Sequence, residues 1–374
     1  MYTPDDLAYM KLALEEAQKA LFISNPNPRV GCVIVKDGQI IGQGHTQEAG
    51  GPHAEVQAIA HAHSQGFSIA GATVYVTLEP CCHHGRTPPC IDALIAGKVG
   101  KVIAAMEDPN PLVAGNGLHR LKDHGIDVRC GLYEREATQL NIGFVQRMTT
   151  GLPWVRLKIA ASLDATSALQ NGVSQWITGE QARLDGHRWR AQACAILTGI
   201  GTTKEDNPQL NVRGIETPRQ PLRILIDSKL EISLEANILK GGNTLVVCAN
   251  PDQSHMQWMK QELNARGVSL LQLPNSHGKV DLPGLFKYLG EVLQLNEVHV
   301  EAGNKLNGSL IRENCVDELL LYYAPTLLGP GLGIAQLGPL NSLEDRYDWA
   351  FIDHTLVGDD LRLRLVKADP PTED

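Results

Sequence analysis

Long runs of a single charge are absent from this chain of 374 residues. No extended Lys/Arg tract occurs, and 42 acidic residues against 33 basic ones leave a net charge of −9. That balance provides no electrostatic footprint for a polynucleotide backbone, so a small-molecule partner is expected rather than nucleic acid. Also missing is any stretch of about 18 uncharged apolar residues, which excludes a membrane span. The opening Met1-Tyr2-Thr3-Pro4-Asp5-Asp6 lacks the basic-then-apolar layout of a secretion signal, and a cytoplasmic location is expected. Gly-x-Gly-x-x-Gly does not occur. Gly199-Ile200-Gly201 and Gly329-Pro330-Gly331-Leu332-Gly333 come nearest without the third glycine, which excludes the Rossmann dinucleotide fingerprint. The eight cysteines stand at 32, 81, 82, 90, 130, 194, 248 and 315, and only 81, 82 and 90 cluster. In a reducing compartment this pattern favours a metal over disulfides, and the isolated thiols read as small core residues.

What is present points to two α/β domains. The length exceeds one ordinary core, and 43% apolar residues suit a packed interior. Thr3 reads as an N-cap with Pro4 at the first helical position, opening an amphipathic helix over 4–22. Strands are expected at Val30–Lys36 and Ile40–Gln43 with Asp37-Gly38 as a hairpin turn, then near Thr73–Leu78, Lys101–Met106 and Ile126–Cys130. Helices interleave at 53–63, 90–96, 116–124 and 134–148, a three-layer pattern over residues 1–147. Residues 148–153 read as a short linker, 154–366 as a second α/β domain and 367–374 as a disordered tail. In the second domain, strands are expected near 154–160, 195–198, 222–227, 244–249, 269–273, 297–301 and 318–323. Helices are expected there near 179–192, 254–266, 282–293 and 308–313.

His53-Ala54-Glu55, Pro80-Cys81-Cys82 and Cys90 carry the clearest chemistry. One imidazole and two thiolates hold Zn²⁺ with a fourth position open to water, and a nearby carboxylate can move protons there. The order His-x-Glu, Pro-Cys, Cys is that of zinc nucleobase deaminases. His53, Cys81 and Cys90 are the expected ligands and Glu55 the acid–base group. Cys82, His83 and His84 remain alternative ligands, because the spacing from Cys81 to Cys90 is longer than the usual Cys-x-x-Cys. A structural site with four protein ligands is the competing reading, against which Glu55 speaks. Residues i and i+2 of a regular helix point about 200° apart. His53 and Glu55 can therefore share a metal only at an irregular first turn.

The run Glu79-Pro80-Cys81-Cys82-His83-His84-Gly85-Arg86-Thr87-Pro88-Pro89-Cys90 resembles the bifunctional riboflavin biosynthesis proteins, in which a pyrimidine deaminase is fused to a reductase. Further matching stretches are Asn25-Pro26-Asn27-Pro28-Arg29, His45, Glu107-Asp108-Pro109-Asn110-Pro111, Lys158-Ile159-Ala160, Ser174-Gln175-Trp176, Asp206-Asn207-Pro208 and Glu301-Ala302-Gly303, so the resemblance covers nearly the full length. It implies a cytidine-deaminase-like first domain and a dihydrofolate-reductase-like second. It also implies deamination of 2,5-diamino-6-ribosylamino-4(3H)-pyrimidinone 5′-phosphate with Zn²⁺, then reduction of its ribosyl group to ribityl with NADPH, by a homo-oligomer. The matching substrate residues are Asn27, His45, Arg86, Asp108 and Asn110 in the first domain, and Lys158, Ser174, Arg190, Leu210, Arg213 and Glu301 in the second. Chemically, Arg190 and Arg213 suit a phosphate clamp, and Lys158 with Glu301 suits orienting the ribose carbonyl. Implied NADPH contacts are Ala160, Trp176, Thr202, Asp206, Ser228 and the stretch Gly303, Asn304, Lys305, Leu306, Asn307, Gly308, Ser309. One departure stands out: where the family commonly reads Ser-Leu-Asp-Gly and a basic residue, this chain has Ser162-Leu163-Asp164-Ala165-Thr166.

Independently of the resemblance, Gly303–Ser309 after a strand-like Glu297–Glu301 can open a helix whose N-terminus suits a pyrophosphate. Two other functions compete: a zinc deaminase of another nucleobase with an accessory domain, and a zinc-stabilised binding module without chemistry.

Overall fold

The computed structural model describes residues 1–83, 88–111 and 113–368, which form two compact units, Met1–Gly151 and Leu152–Asp374. Arg86 and residues 369–374 of the expected tail lie outside the described residues.

The first unit runs α1 (Pro4–Gln18), β1 (Gly31–Lys36), β2 (Gln39–His45), α2 (Ala54–Ser64), β3 (Thr73–Val76), α3 (Cys90–Ala96), β4 (Lys101–Ala104), α4 (Asn116–Asp123), β5 (Asp127–Cys130), α5 (Glu134–Leu140) and α6 (Ile142–Thr150). Thr3 and Asp6 form a reciprocal capping box at α1, each side chain bonding the other's backbone N–H at 2.8–3.1 Å. The helix ends at Gln18, short of the expected residue 22, and turns lead into the proline-rich Asn25–Pro28 stretch. The helix expected at 134–148 breaks at Asn141, whose side chain accepts from Arg29 N at 2.7 Å and donates to Arg29 O at 2.9 Å. That long-range pairing outweighs local propensity.

The sheet order is β2-β1-β3-β4-β5, with β1 antiparallel to both neighbours and β3, β4 and β5 parallel. Asp37 and Gly38 turn the hairpin at φ 51° and 77°. A Cβ on Gly31 would lie 1.9 Å from Ala13 O of α1, whereas one on Gly42 or Gly44 would lie within 2.5 Å of the Ala58 backbone of α2. Gly42 and Gly44 pair with Ile34 and Cys32, one pleat out of phase with Gly31. The alternation puts α1 and α2 on opposite faces, giving three layers.

The second unit contains β6 (Trp154–Ser162), β7 (Thr166–Leu169), α7 (Glu180–Gln192), β8 (Ala195–Gly199), α8 (Ile200–Asp206), β9 (Leu222–Ile226), β10 (Thr244–Cys248), α9 (Gln253–Ala265), β11 (Val268–Gln272), α10 (Leu282–Glu291), β12 (Glu297–Val300), α11 (Asn304–Arg312), β13 (Glu318–Ala324), β14 (Gly331–Gly333), β15 (Trp349–Val357) and β16 (Asp360–Lys367). Nine strands pair in the order β11-β10-β9-β8-β12-β6-β13-β16-β15, parallel from β11 to β13 and antiparallel beyond. Lys367 closes β16, so the expected tail does not begin at that residue. From β8 the chain moves outward through β9, β10 and β11, then returns to insert β12 on the other side of β8. Such a reversal opens a crevice at the carboxyl ends of the strands. Deep in this sheet Arg156 lies between Glu297 (3.3 Å) and Glu318 (3.0 Å) and stacks 4.4 Å from the Trp189 ring centroid.

Candidate active sites

In the first unit, His53 is the N-cap of α2, in extended backbone (φ −75°, ψ 166°), and Glu55 is in the first turn. Being outside the helix frees the imidazole from the helical spacing and lets it approach the side of α2 that bears Glu55. Cys90 opens α3, so the two helix starts bring imidazole and thiol together. His53 Nδ1 lies 3.1 Å from Cys90 Sγ and 3.5 Å from Cys81 Sγ, and the three ligand atoms fall within 4.8 Å of one another. Cys90 N donates to Cys81 Sγ at 3.3 Å. Cys82, weighed as a ligand from sequence, instead packs against the apolar core. Among the described residues no fourth His, Cys, Asp or Glu joins the group. Two thiols and one imidazole are a donor set that suits zinc, and His84, also weighed as a ligand from sequence, lies outside the described residues.

The electrostatics follow from the burial. The Cys90 thiol and the His53 ring stabilise the Cys81 thiolate, lowering its pKa to about 4, while Cys90 itself is driven upward by the same pairing and by burial. Glu55 is 3% exposed, and burial together with the negative Cys81 raises its carboxyl to about 7. A carboxyl near neutrality can both accept and give a proton at physiological pH.

The remaining first-unit residues are more scattered. Asp108 lies within electrostatic reach of Glu79, His83 and Cys81, and burial raises its carboxyl. Its Oδ1 accepts from Asn110 N at 2.9 Å. Asn27 is half-buried in the turn after α1, its N–H bonded to Ser24 O at 2.8 Å. His45 stands 3.5 Å from Glu16 Oε2 in a polar groove of about 480 Å³ that Lys19, Gln57 and His61 also line.

In the second unit, Glu297, His299 and Glu301 alternate along β12 and its end, which places all three on one side of the sheet. Arg190 of α7 grips the Glu301 carboxylate with Nε at 2.5 Å and Nη2 at 2.8 Å, while its Nη1 donates to Asn211 O at 3.0 Å. Each of the three guanidinium nitrogens thus makes a hydrogen bond within the protein. His299 Nε2 is 3.3 Å from Glu301 Oε1, and Arg190 holds Glu301 far below the ordinary carboxyl range despite its burial. Burial lowers the Lys158 amine, opposed by nearby Glu301, and the amine lies 5.8 Å from the Tyr322 ring centroid. His187 Nδ1 accepts from Arg213 N at 3.1 Å; burial first, then Arg190 and Arg213, push its ring down to about 4. His187 and His299 were missed from sequence. The two-residue spacing of Glu297, His299 and Glu301 was the available signal for His299; a histidine on an amphipathic helix offered none for His187.

Helices α8 and α11 begin at Gly199 and Gly303, neither with a side-chain cap, after the adjacent parallel strands β8 and β12. A Cβ on Gly303 would sit 3.7 Å from Thr202 Oγ1, so these helix starts adjoin. The uncapped N–H groups and positive helix end of α11 suit a pyrophosphate. Nearby, Gln175 Nε2 donates to Asp206 Oδ1 at 3.1 Å, and the exposed Trp176 ring carries Arg183 at 4.6 Å. Within the glycine-led stretch, Asn307 Nδ2 bonds Ile334 O at 2.8 Å and Gly308 abuts Gln336 O, so these two face the protein body. Asn304, Lys305 and Ser309 are at least partly exposed, and Leu306 packs on the core. Ala160 lies on β6, and Ser228 follows β9 with its Oγ accepting from Val280 N at 3.3 Å. Leu210 is 3% exposed within an apolar cluster, Arg213 is exposed, and Ser174 is half-buried one residue before Gln175.

Residues 3–106 match the family described as the cytidine and deoxycytidylate deaminase zinc-binding region, and residues 153–365 match the RibD C-terminal domain. The riboflavin biosynthesis protein RibD of Escherichia coli (strain K12) is 46% identical over 377 residues, covering 97% of this chain and 100% of that one. The solved structure of Acinetobacter baumannii RibD (form 1) is 41% identical with a TM-score of 0.89, covering 98% and 99% of the two chains. A diaminohydroxyphosphoribosylaminopyrimidine deaminase/5-amino-6-(5-phosphoribosylamino)uracil reductase from Thermotoga maritima is 31% identical with a TM-score of 0.83, covering 97% and 99%.

Proposed function

The chain belongs to the RibD family, the bifunctional deaminase/reductases of riboflavin biosynthesis, and from that membership we propose that it deaminates 2,5-diamino-6-ribosylamino-4(3H)-pyrimidinone 5′-phosphate and then reduces the ribosyl group to ribityl with NADPH. The observation that carries the first step is a buried Glu55 beside a three-ligand His53, Cys81 and Cys90 cluster.

His53, Cys81 and Cys90 would hold a zinc ion, which would supply Lewis acidity to a bound water. Glu55 takes a proton from the attacking water and passes it to the departing amine, so that ring C–NH₂ and water become ring carbonyl and ammonia. Asn27 offers its amide to the pyrimidine edge, and His45, Asp108 and Asn110 complete the substrate contacts with Arg86 toward the phosphate.

NADPH supplies the hydride for the second step. Gly303, Asn304, Lys305 and Ser309 at the start of α11 would hold its pyrophosphate. Leu306, Asn307 and Gly308 shape that turn from behind. Ala160, Trp176, Thr202 and Asp206 would contact the rest of the cofactor, and Ser228 would favour the 2′-phosphate. Lys158 and Glu301 orient the ribose carbonyl, with Arg190 holding Glu301 in place. Ser174, Leu210, Arg190 and Arg213 border the substrate, with the two guanidinium groups toward its phosphate. The adjoining starts of α8 and α11 at the sheet's reversal support this placement. No described helix is long and apolar enough to cross a membrane. From the family membership we also propose a cytoplasmic homo-oligomer working on a small phosphorylated pyrimidine.

The test supplies the diaminopyrimidine phosphate and follows ammonia and NADPH separately. NADPH consumption that begins only after ammonia appears supports both activities and their order; ammonia without NADPH oxidation removes the reductase assignment.

A further inference from the structure

Glu79, one residue before Pro80-Cys81, is 5% exposed and receives four backbone N–H bonds. Its Oε1 accepts from Gly117 (2.7 Å) and Leu118 (3.3 Å) in the first turn of α4, and its Oε2 accepts from Asp108 (3.0 Å) and Gly115 (2.9 Å). The fit is close, since a Cβ on Gly117 would meet Pro80 O at 2.3 Å. Glu79 N also donates to Met106 O at 2.9 Å. One carboxylate therefore joins the cysteine loop, the start of α4 and the backbone of Asp108, whose own side chain lies within electrostatic reach of Cys81.

We propose that Glu79 is a positioning residue of the deaminase, fixing the Asp108–Asn110 segment at the metal cluster so that it meets the pyrimidine substrate in a preset place. This rests on the reading of Asp108 and Asn110 as substrate contacts. The two carboxylate oxygens divide the work, and that division makes the idea testable. Glutamine has one acceptor oxygen. In Glu79→Gln the positive end of α4 keeps that oxygen on Gly117 and Leu118. The amide NH₂ then opposes the N–H groups of Asp108 and Gly115, donor against donor, and this side lets go.

The experiment uses the full chain with zinc. Zinc content, deaminase kcat and KM, and amide hydrogen exchange are compared between wild type and Glu79→Gln. The expected result is one zinc per chain in both, KM for the diaminopyrimidine phosphate raised about tenfold, and kcat within about threefold. Exchange quickens at Asp108 and Gly115 and stays slow at Gly117 and Leu118. Reduction of separately supplied deaminated substrate is unchanged. Unchanged KM despite loosened Asp108 and Gly115 amides overturns the proposal, as does loss of zinc or loosening of all four amides together. Asp108→Ala and Asn110→Ala separate the two levels. If both leave KM at the wild-type value, the substrate-contact reading falls and this proposal with it. If they raise KM while Glu79→Gln does not, only this proposal falls.

Discussion

Replacing Ala165 with glycine should make the second unit more stable. Ala165 sits at φ 59°, a left-handed conformation that L-residues other than glycine adopt at a cost of about 1–2 kcal/mol. The surrounding bonds leave the turn no alternative. Ala165 N donates to Ser162 O at 2.9 Å, Thr166 N donates to Ser162 Oγ at 3.1 Å, and the Asp164 carboxylate takes the N–H of Gly329 at 2.8 Å. The Ala165 methyl is half-exposed, so its removal opens no core cavity. Glycine's extra freedom in the unfolded chain costs roughly 0.5–1 kcal/mol, leaving a net gain of up to about 1.5 kcal/mol, centred near about 0.75 kcal/mol. For a unit of this size that is a rise in Tm of about 1–4 °C. All five tryptophans, at 154, 176, 189, 258 and 349, lie in Leu152–Asp374, so tryptophan fluorescence reports the unfolding of this unit alone. Ala168→Gly in β7 is the contrast, a strand position at 8% exposure where glycine should destabilise. A Tm for Ala165→Gly equal to or below that of wild type refutes the argument from backbone strain.

Glu55→Gln should lower the rate of ammonia release by about 10²–10⁴-fold with zinc retained, measured by coupled ammonia assay and metal analysis. A wild-type rate would remove Glu55 from the chemistry. Chelation of zinc should stop deamination while leaving NADPH-dependent reduction of the deaminated substrate intact, which single-step assays distinguish. Glu301→Gln breaks the charge pairing with Arg190 and should depress NADPH oxidation without affecting ammonia release. The Glu318 carboxyl is buried, which alone would raise it, but Arg156 and Arg364 outweigh burial and hold it at about 2, against an ordinary 4.5. Its folded value being depressed, the contribution is whole above pH 4.5 and fades as pH falls toward 2. The gap corresponds to about 3 kcal/mol. Urea unfolding followed by tryptophan fluorescence should therefore lose stability less steeply across that window in Glu318→Gln than in wild type.

The deaminase cluster was legible because thiolate, imidazole and carboxylate side chains perform its chemistry themselves, and each is scarce enough to notice. Part of its geometry was legible too: the two-residue spacing called for an irregular first turn, and the extended backbone of His53 at the N-cap meets that requirement. The second unit hides more, since a pyrophosphate can be held by main-chain N–H groups that any residue supplies. The bond of Arg190 to Glu301 joins residues 111 apart and leaves no local trace in the sequence. In the hairpin β15–β16, the register shift between Phe351 and Asp353 breaks the two-residue period of β15, whereas Leu361, Leu363 and Leu365 of β16 do alternate with Arg362 and Arg364, a signal that the sequence reading passed over. Helix ends at Gln18 and Asn141 were misjudged where prolines or a distant backbone partner set the boundary.

Strand β12 is four residues long, with parallel neighbours on both sides. Deleting or inserting a single residue there would swing Glu297 and His299 into the space now filled by Val298 and Val300, and bring the valines against Arg156. Sequence change at β12 is therefore confined to exchanges at constant length, and its evolutionary history should contain substitutions but no indels.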